Sequence, residues 1–288
     1  MNGNSEITAA WLAQQFPDLQ SIRPLSHGGQ KEVFSAVHPQ EGDVVLKLMH
    51  SSADIERTAR ELLAVSRVQS PRVPAILGRG TVPTPAGDCF WFREQRILGD
   101  TVRTRLASGP FNTPDLLRLA LHVSEALVAA ETVSIVHRDV KPENLILDVT
   151  GSCWLIDFGL ARHLGLESLT ATANVFGQVT WGYAPLEQCR NIKQEIDARA
   201  DLFALGVTLY ECATAVNPFR DGARDALEVL QRVERGNLPR LQLSLYPSAS
   251  DFADLVAALT QRHRIHRPQS AREAHDWIRD ICDAEGVG

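Results

Sequence analysis

The sequence predicts an α+β chain in two lobes, a small antiparallel β-rich front lobe and a larger helical back lobe. Three observations predict this. At 288 residues the chain exceeds the usual length of a single domain. Its apolar residues fall in β-rich runs up to about residue 97 and at helical spacing beyond Gly99. The turn His38-Pro39-Gln40-Glu41-Gly42-Asp43 joins two of the early runs as a hairpin.

The elements follow in order. Ser5 to Phe16 forms a short helix that ends before Pro17, with Trp11, Leu12 and Phe16 packed onto the body. Two β-rich runs span Ser21 to Leu48 and flank the hairpin turn. Ile55, Ala59, Leu62 and Leu63 then recur at helical spacing; Ser52 and Asp54 suit the start of that helix and Pro71 ends it. Val73 to Ile97 reads as further strand, interrupted by Pro83-Thr84-Pro85-Ala86-Gly87-Asp88. Thr113 and Pro114 open a helix to about Glu131. Helical patterns return at about Ala200–Thr214, Ala223–Arg235, Asp251–Leu259 and Ser270–Cys282.

Composition narrows the class. With 44% hydrophobic and 22% charged residues, the chain reads as an ordinary soluble globular protein. No apolar run approaches the ~20 residues that cross a bilayer, and Met1 to Glu6 lacks the layout of a secretory signal. The expected location is therefore the cytoplasm, with no membrane association. A net charge of −6 and a pI near 5.9 argue against nucleic acid as a partner. Cys89, Cys153, Cys189, Cys212 and Cys282 are scattered without a C-x-x-C pair, as expected of reduced thiols. His263 and His266 lie in a basic stretch without further soft ligands, so they read as solvated surface rather than a metal site.

The chemistry is concentrated near the middle. His137-Arg138-Asp139-Val140-Lys141-Pro142-Glu143-Asn144 is followed, 13 positions on, by Asp157-Phe158-Gly159. Together they supply a proton-accepting carboxylate, a phosphate-facing lysine and two oxygen ligands for a hard cation. This pairing resembles the catalytic core of the protein kinase superfamily, in its bacterial serine/threonine (Hanks-type) form. The resemblance covers about residues 20–282. It implies the two-lobed protein kinase fold, with residues 1–19 as a helical extension, 20–97 as the front lobe and 98–288 as the back lobe.

The resemblance also implies roles. Asp139 accepts or orients the proton of the substrate hydroxyl, and Lys141 stabilises the moving phosphoryl group. Asn144 and Asp157 hold magnesium, with manganese as the alternative ion. Leu25-Ser26-His27-Gly28-Gly29-Gln30-Lys31-Glu32-Val33-Phe34 is similar to the glycine-rich loop, so Leu25, Gly28, Gly29 and Val33 cover the nucleotide. Ser26 and Lys31 replace two of its glycines, which stiffens the loop. Val44-Val45-Leu46-Lys47 resembles V-A-I-K. Lys47 then grips the α- and β-phosphates of ATP and pairs with Glu61 of the following helix, Glu56 being the competitor. His137 is read as a structural residue of the loop.

Beyond the catalytic loop, Glu187 closes the activation segment and pairs with buried Arg267. Asp201 braces the catalytic loop. Lys-Pro-Glu-Asn and Thr180, the threonine that links the catalytic aspartate and lysine, imply serine or threonine acceptors. Arg138 asks for an anion to meet it, so Ser168, Thr170 and Thr172 are candidate autophosphorylation sites. Setting Gly99-Asp100-Thr101 against Gly-Glu-Thr places Glu94 at the back of the adenine pocket, where the carboxylate needs a partner. Backbone groups around Gln95 and Ile97 then bind adenine, subject to a one-residue slip in register.

The leading function is ATP-dependent phosphorylation of serine and threonine in protein substrates. A nucleotide-binding scaffold is the alternative, and a small-molecule kinase is a third reading that Glu187 and Arg267 weigh against. A separate regulatory protein and a homodimer through the front lobes are the expected partners.

Overall fold

Lys31–Met49 shows little of the in–out alternation of a sheet with one wet face, because its strands are covered on both sides. The computed structural model describes residues 7–27, 31–49, 59, 62–84, 87–158, 179–236, 238–242 and 248–287. Five antiparallel strands, β1 (Gln20–His27), β2 (Lys31–His38), β3 (Gly42–Met49), β4 (Ile76–Thr84) and β5 (Gly87–Gln95), form one sheet in the order β1-β2-β3-β5-β4. The hairpin predicted at residues 38–43 joins β2 to β3, which pair from His38↔Gly42 to Lys31↔Met49.

The register sorts the side chains. Phe34 opposes Leu46 and Ala36 opposes Val44, so these share one face, and α1 (Ala9–Gln15) supplies Leu12 to its core, with Phe16 and Leu19 following. The Thr8 hydroxyl caps α1 by accepting from the Trp11 N–H, and Phe16 meets the Trp91 ring edge-on at 5.0 Å. The opposite face carries Val33 across from Lys47, Lys47 across from Phe92, and Val45 across from Glu94. This sheet and α1 belong to one compact unit, which runs to Arg67 and resumes over Pro74–Ile97. Residues 62–65 are helical, within the helix predicted to start near Asp54.

A second unit contains Val68–Val73, the chain from Leu98 through residues 137–144, and the C-terminal helices. Its small sheet has the order β6 (Gly99–Thr101), β7 (Leu145–Asp148), β8 (Cys153–Leu155). A Cβ on Gly99 would lie 2.0 Å from the Leu147 carbonyl oxygen, so only glycine lets β6 reach β7. Among the described residues it also holds helices α2 (Val102–Leu106), α3 (Thr113–Thr132), α4 (Leu186–Cys189), α5 (Ala198–Thr214), α6 (Ala226–Arg235), α7 (Ala249–Leu259) and α8 (Ala271–Glu285). Asn112 caps α3 through the Asp115 N–H, and Ser270 caps α8 through the Glu273 N–H. Helix α5 is buried along nearly its whole length and packs against α3, α7 and α8. It carries Asp201 in its first turn.

The fold is therefore α+β, one unit built mainly on a five-stranded antiparallel sheet and the other mainly on helices, as the sequence predicts. All five cysteines are free and buried. Burial pushes the thiols of Cys89 and Cys282 up to about 11 and those of Cys153 and Cys189 up to about 12, so they stay protonated and inert at neutral pH. Among the described residues no helix is long and apolar enough to cross a membrane.

Candidate active site

The loop at residues 137–144 is held by α5. Asp201 is buried and accepts the backbone N–H of His137 on one carboxylate oxygen and that of Arg138 on the other, both at 2.7 Å. Burial pushes its carboxyl up to about 7, against the two backbone donors and the nearby Arg138 charge. Arg138 has φ of 65°, a left-handed conformation that costs a non-glycine residue free energy. Its peptide is clamped from both sides, because the Gln188 amide donates to the Arg138 carbonyl at 2.7 Å. The fold thus stabilises a strained turn that projects the next side chain, Asp139.

Four polar side chains converge there. Asp139 Oδ1 accepts from the Thr180 hydroxyl at 2.7 Å. Asp139 Oδ2 accepts from Asn144 Nδ2 at 3.0 Å and lies 2.9 Å from Lys141 Nζ. Lys141 Nζ also donates to Thr180 Oγ1 at 2.9 Å. Asn144 Nδ2 donates a second bond to the Asp139 carbonyl at 2.8 Å. Two acceptors on one amide nitrogen fix which way the Asn144 side chain faces, and its carbonyl oxygen points away as an acceptor.

Asp157 has φ of 61°, a second left-handed residue. The residue before it is anchored at both its backbone groups: the Ile156 N–H donates to the Asn144 carbonyl, and His137 Nε2 meets the Ile156 carbonyl at 3.0 Å. Phe158 packs its ring on His137 at 4.6 Å. His137 is fully buried, as expected of a structural residue. An amide oxygen at Asn144 and a carboxylate at Asp157 are hard donors, which fit magnesium or manganese rather than a thiophilic ion.

Glu187 is fastened separately. Arg267 donates to both Glu187 oxygens, at 2.6 and 3.3 Å, and to the carbonyls of Gln261, Arg199 and Arg262. The side chains are 0% and 5% exposed. A second network joins Arg103 of α2 to Glu143 at 2.8 Å, Glu211 at 2.7 Å and the Tyr183 hydroxyl at 2.6 Å. The Tyr183 hydroxyl donates in turn to Glu211. Burial, then Glu211, raises the Tyr183 phenol, so it stays protonated. Sequence reasoning missed both this network and Gln188; neither has a local pattern that announces a partner tens of residues away.

The front unit holds the remaining candidates. Lys47 is 3% exposed, and its ammonium lies 2.6 Å from Glu94 Oε1 and 5.4 Å from the centre of the Phe92 ring. The partner that Glu94 was expected to need is Lys47. Glu61, the partner expected for Lys47, lies outside the described residues, as do Glu56, Gly28, Gly29, Gly159, Ser168, Thr170 and Thr172. Leu25 is exposed on β1 and Val33 buried on β2, one register step apart. The Gln95 N–H donates to the Ala75 carbonyl at 2.9 Å, and Ile97 is the last residue of this unit's Pro74–Ile97 stretch. His263 and His266 are exposed.

Comparison with known proteins agrees with this arrangement. A model described as "Protein kinase domain" matches residues 19–278. Serine/threonine-protein kinase PknH of Mycobacterium tuberculosis (strain H37Rv) is 35% identical over 208 residues, which are 69% of this chain and 32% of that protein. Serine/threonine-protein kinase PknD of the same strain is 31% identical over 279 residues, 93% of this chain and 40% of that protein. Serine/threonine-protein kinase PrkC of Bacillus subtilis is 26% identical over 273 residues, 92% and 41%. The chain spans about a third to two fifths of the length of these curated relatives.

Proposed function

Because this chain belongs to the protein kinase family, we propose that it transfers the γ-phosphate of ATP to serine and threonine hydroxyls of protein substrates. The observation that carries this reading is the cluster in which Lys141, Asn144 and Thr180 all lie within hydrogen-bond distance of the Asp139 carboxylate. Phosphoryl transfer requires an aimed acceptor hydroxyl and neutralised charge more than covalent participation by the protein. The cluster offers both.

In this mechanism a substrate hydroxyl donates its proton to the Asp139 carboxylate. The hydroxyl oxygen bonds to the γ-phosphorus as the bridging bond to the β-phosphate breaks, and ADP leaves. Thr180 and Lys141 fix the Asp139 rotamer, and Lys141 offers its charge to the transferring group. Asn144 and Asp157 would hold magnesium, or manganese in its place, which supplies positive charge at the phosphates. Lys47 meets the α- and β-phosphates, Leu25, Gly28, Gly29 and Val33 cover the nucleotide, Glu61 supports Lys47, and Gln95 and Ile97 present backbone groups to adenine. Serine and threonine are the acceptors that the resemblance of Lys141-Pro142-Glu143-Asn144 and Thr180 implies, in keeping with relatives named as serine/threonine kinases.

The chain also phosphorylates itself at Ser168, Thr170 or Thr172 and takes its regulation from a partner protein or a second copy of the front unit. Its buried free thiols are in keeping with a reducing cytoplasm. The test is transfer of labelled phosphate from ATP to peptide libraries with serine, threonine or tyrosine acceptors. Label on serine and threonine, absent from tyrosine and absent with Asp139→Asn, is the expected result. Equal labelling by wild type and Asp139→Asn would sink the reading.

A further inference from the structure

A glutamate at position 94 stands where a base-facing position calls for an apolar residue, and the structure gives its consequence. Val45 opposes Glu94 and Lys47 opposes Phe92, so Lys47 and Glu94 are diagonal neighbours on the sheet face opposite α1. Their charged atoms are 2.6 Å apart, and the side chains are 4% and 10% exposed. Both residues sit inside paired strands, so the anion is fixed by the sheet rather than by a movable helix or loop.

We propose that Glu94 is an internal anion that competes with the nucleotide's phosphates for Lys47 and thereby sets the affinity for ATP. The inference rests on the kinase reading, in which Lys47 meets phosphate. A carboxylate at contact distance, with little water to screen it, cancels most of the attraction that the ammonium would exert on a second anion. Phosphate that engages Lys47 either displaces Glu94 or brings more negative charge beside it. Both outcomes weaken binding of the polyphosphate and leave the base and sugar untouched. Glu94 is thus an affinity-setting residue, distinct from a carboxylate that merely aims the lysine.

The two roles predict opposite signs. Glu94→Gln keeps the shape and a hydrogen-bond acceptor for Lys47 but removes the charge. We expect Glu94→Gln to bind ATP about tenfold more tightly in the presence of magnesium, while adenosine binds within about twofold of wild type. In the wild-type protein the triphosphate adds little, and ATP binds within about tenfold of adenosine. Glu94→Met repeats the measurement with an apolar residue in case the glutamine variant folds poorly.

Calorimetry with ATP and adenosine on full-length protein decides it. Weaker or unchanged ATP binding in both variants overturns the proposal, as does a parallel gain for ATP and adenosine. If wild type transfers phosphate normally and the variants fail to tighten, only the role of Glu94 falls. If wild type neither binds ATP nor transfers phosphate, the kinase reading falls and takes this inference with it.

Discussion

Two buried ion pairs, one in each unit, look alike in distance and differ in kind. Glu187–Arg267 and Lys47–Glu94 both have contacts of 2.6 Å and cations almost out of reach of water. Arg267 spends all five of its guanidinium donors, two on Glu187 and three on the carbonyls of Gln261, Arg199 and Arg262. A planar fork with every donor engaged has no alternative partner at the same geometry, so it fastens the segment after Ala184 to the helical core. Lys47 presents a compact ammonium that rotates and can exchange one anion for another. The lesson is that depth and distance do not tell a fastened pair from an exchangeable one; the donor chemistry of the cation does.

The largest expected effect breaks the structural pair. Arg267→Met leaves Glu187 buried without its counter-charge and should cost about 3–5 kcal/mol in denaturant unfolding. Glu94→Gln, in the Lys47 pair, should cost clearly less. Equal losses would erase the distinction. Arg267→Lys sharpens it: the charge is kept but two donors are lost, and we expect about 2 kcal/mol of destabilisation by the same measurement.

A smaller effect attaches to the clamp on the strained Arg138 turn. Gln188→Ala removes one hydrogen bond to the Arg138 carbonyl, worth about 1 kcal/mol. Steady-state kinetics should show kcat reduced with KM for ATP unchanged, because Asp139 is displaced while Lys47 is not touched. A change in KM alone would contradict that division of labour.

The smallest effect concerns a buried group kept neutral. His122 accepts the Cys153 N–H on Nδ1, and burial, followed by the charge of Arg72, lowers its imidazole to about 4. A depressed folded value means the unfolded chain takes the proton first. The stability tied to this group is complete above about 6.5 and is lost as pH falls toward 4. His122→Gln offers its amide oxygen to the same donor without titrating. Its melting temperature, relative to wild type, should rise from pH 7 to pH 4; parallel curves would contradict the assignment.

Much of this was legible in the sequence because it is local. Asp139, Lys141 and Asn144 fall within one short loop, the hairpin before Lys47 is announced by its turn residues, and helices α3, α5 and α8 follow apolar periodicity. The Glu187–Arg267 pair was found through resemblance across 80 positions. What escaped is long-range and side-chain specific. The diagonal contact of Lys47 with Glu94 depends on strand register, which periodicity does not fix across β3 and β5. Gln188 and the Arg103–Glu143–Glu211–Tyr183 network depend on packing between elements that no local pattern pairs.

The account's central claim is that Asp139 acts on the acceptor hydroxyl within an intact nucleotide site. Measuring ATP affinity and phosphoryl-transfer rate on the same preparation of Asp139→Asn tests it most directly. The account predicts unaltered affinity with a rate lowered by about 10²–10⁴-fold. Transfer at the wild-type rate would contradict it.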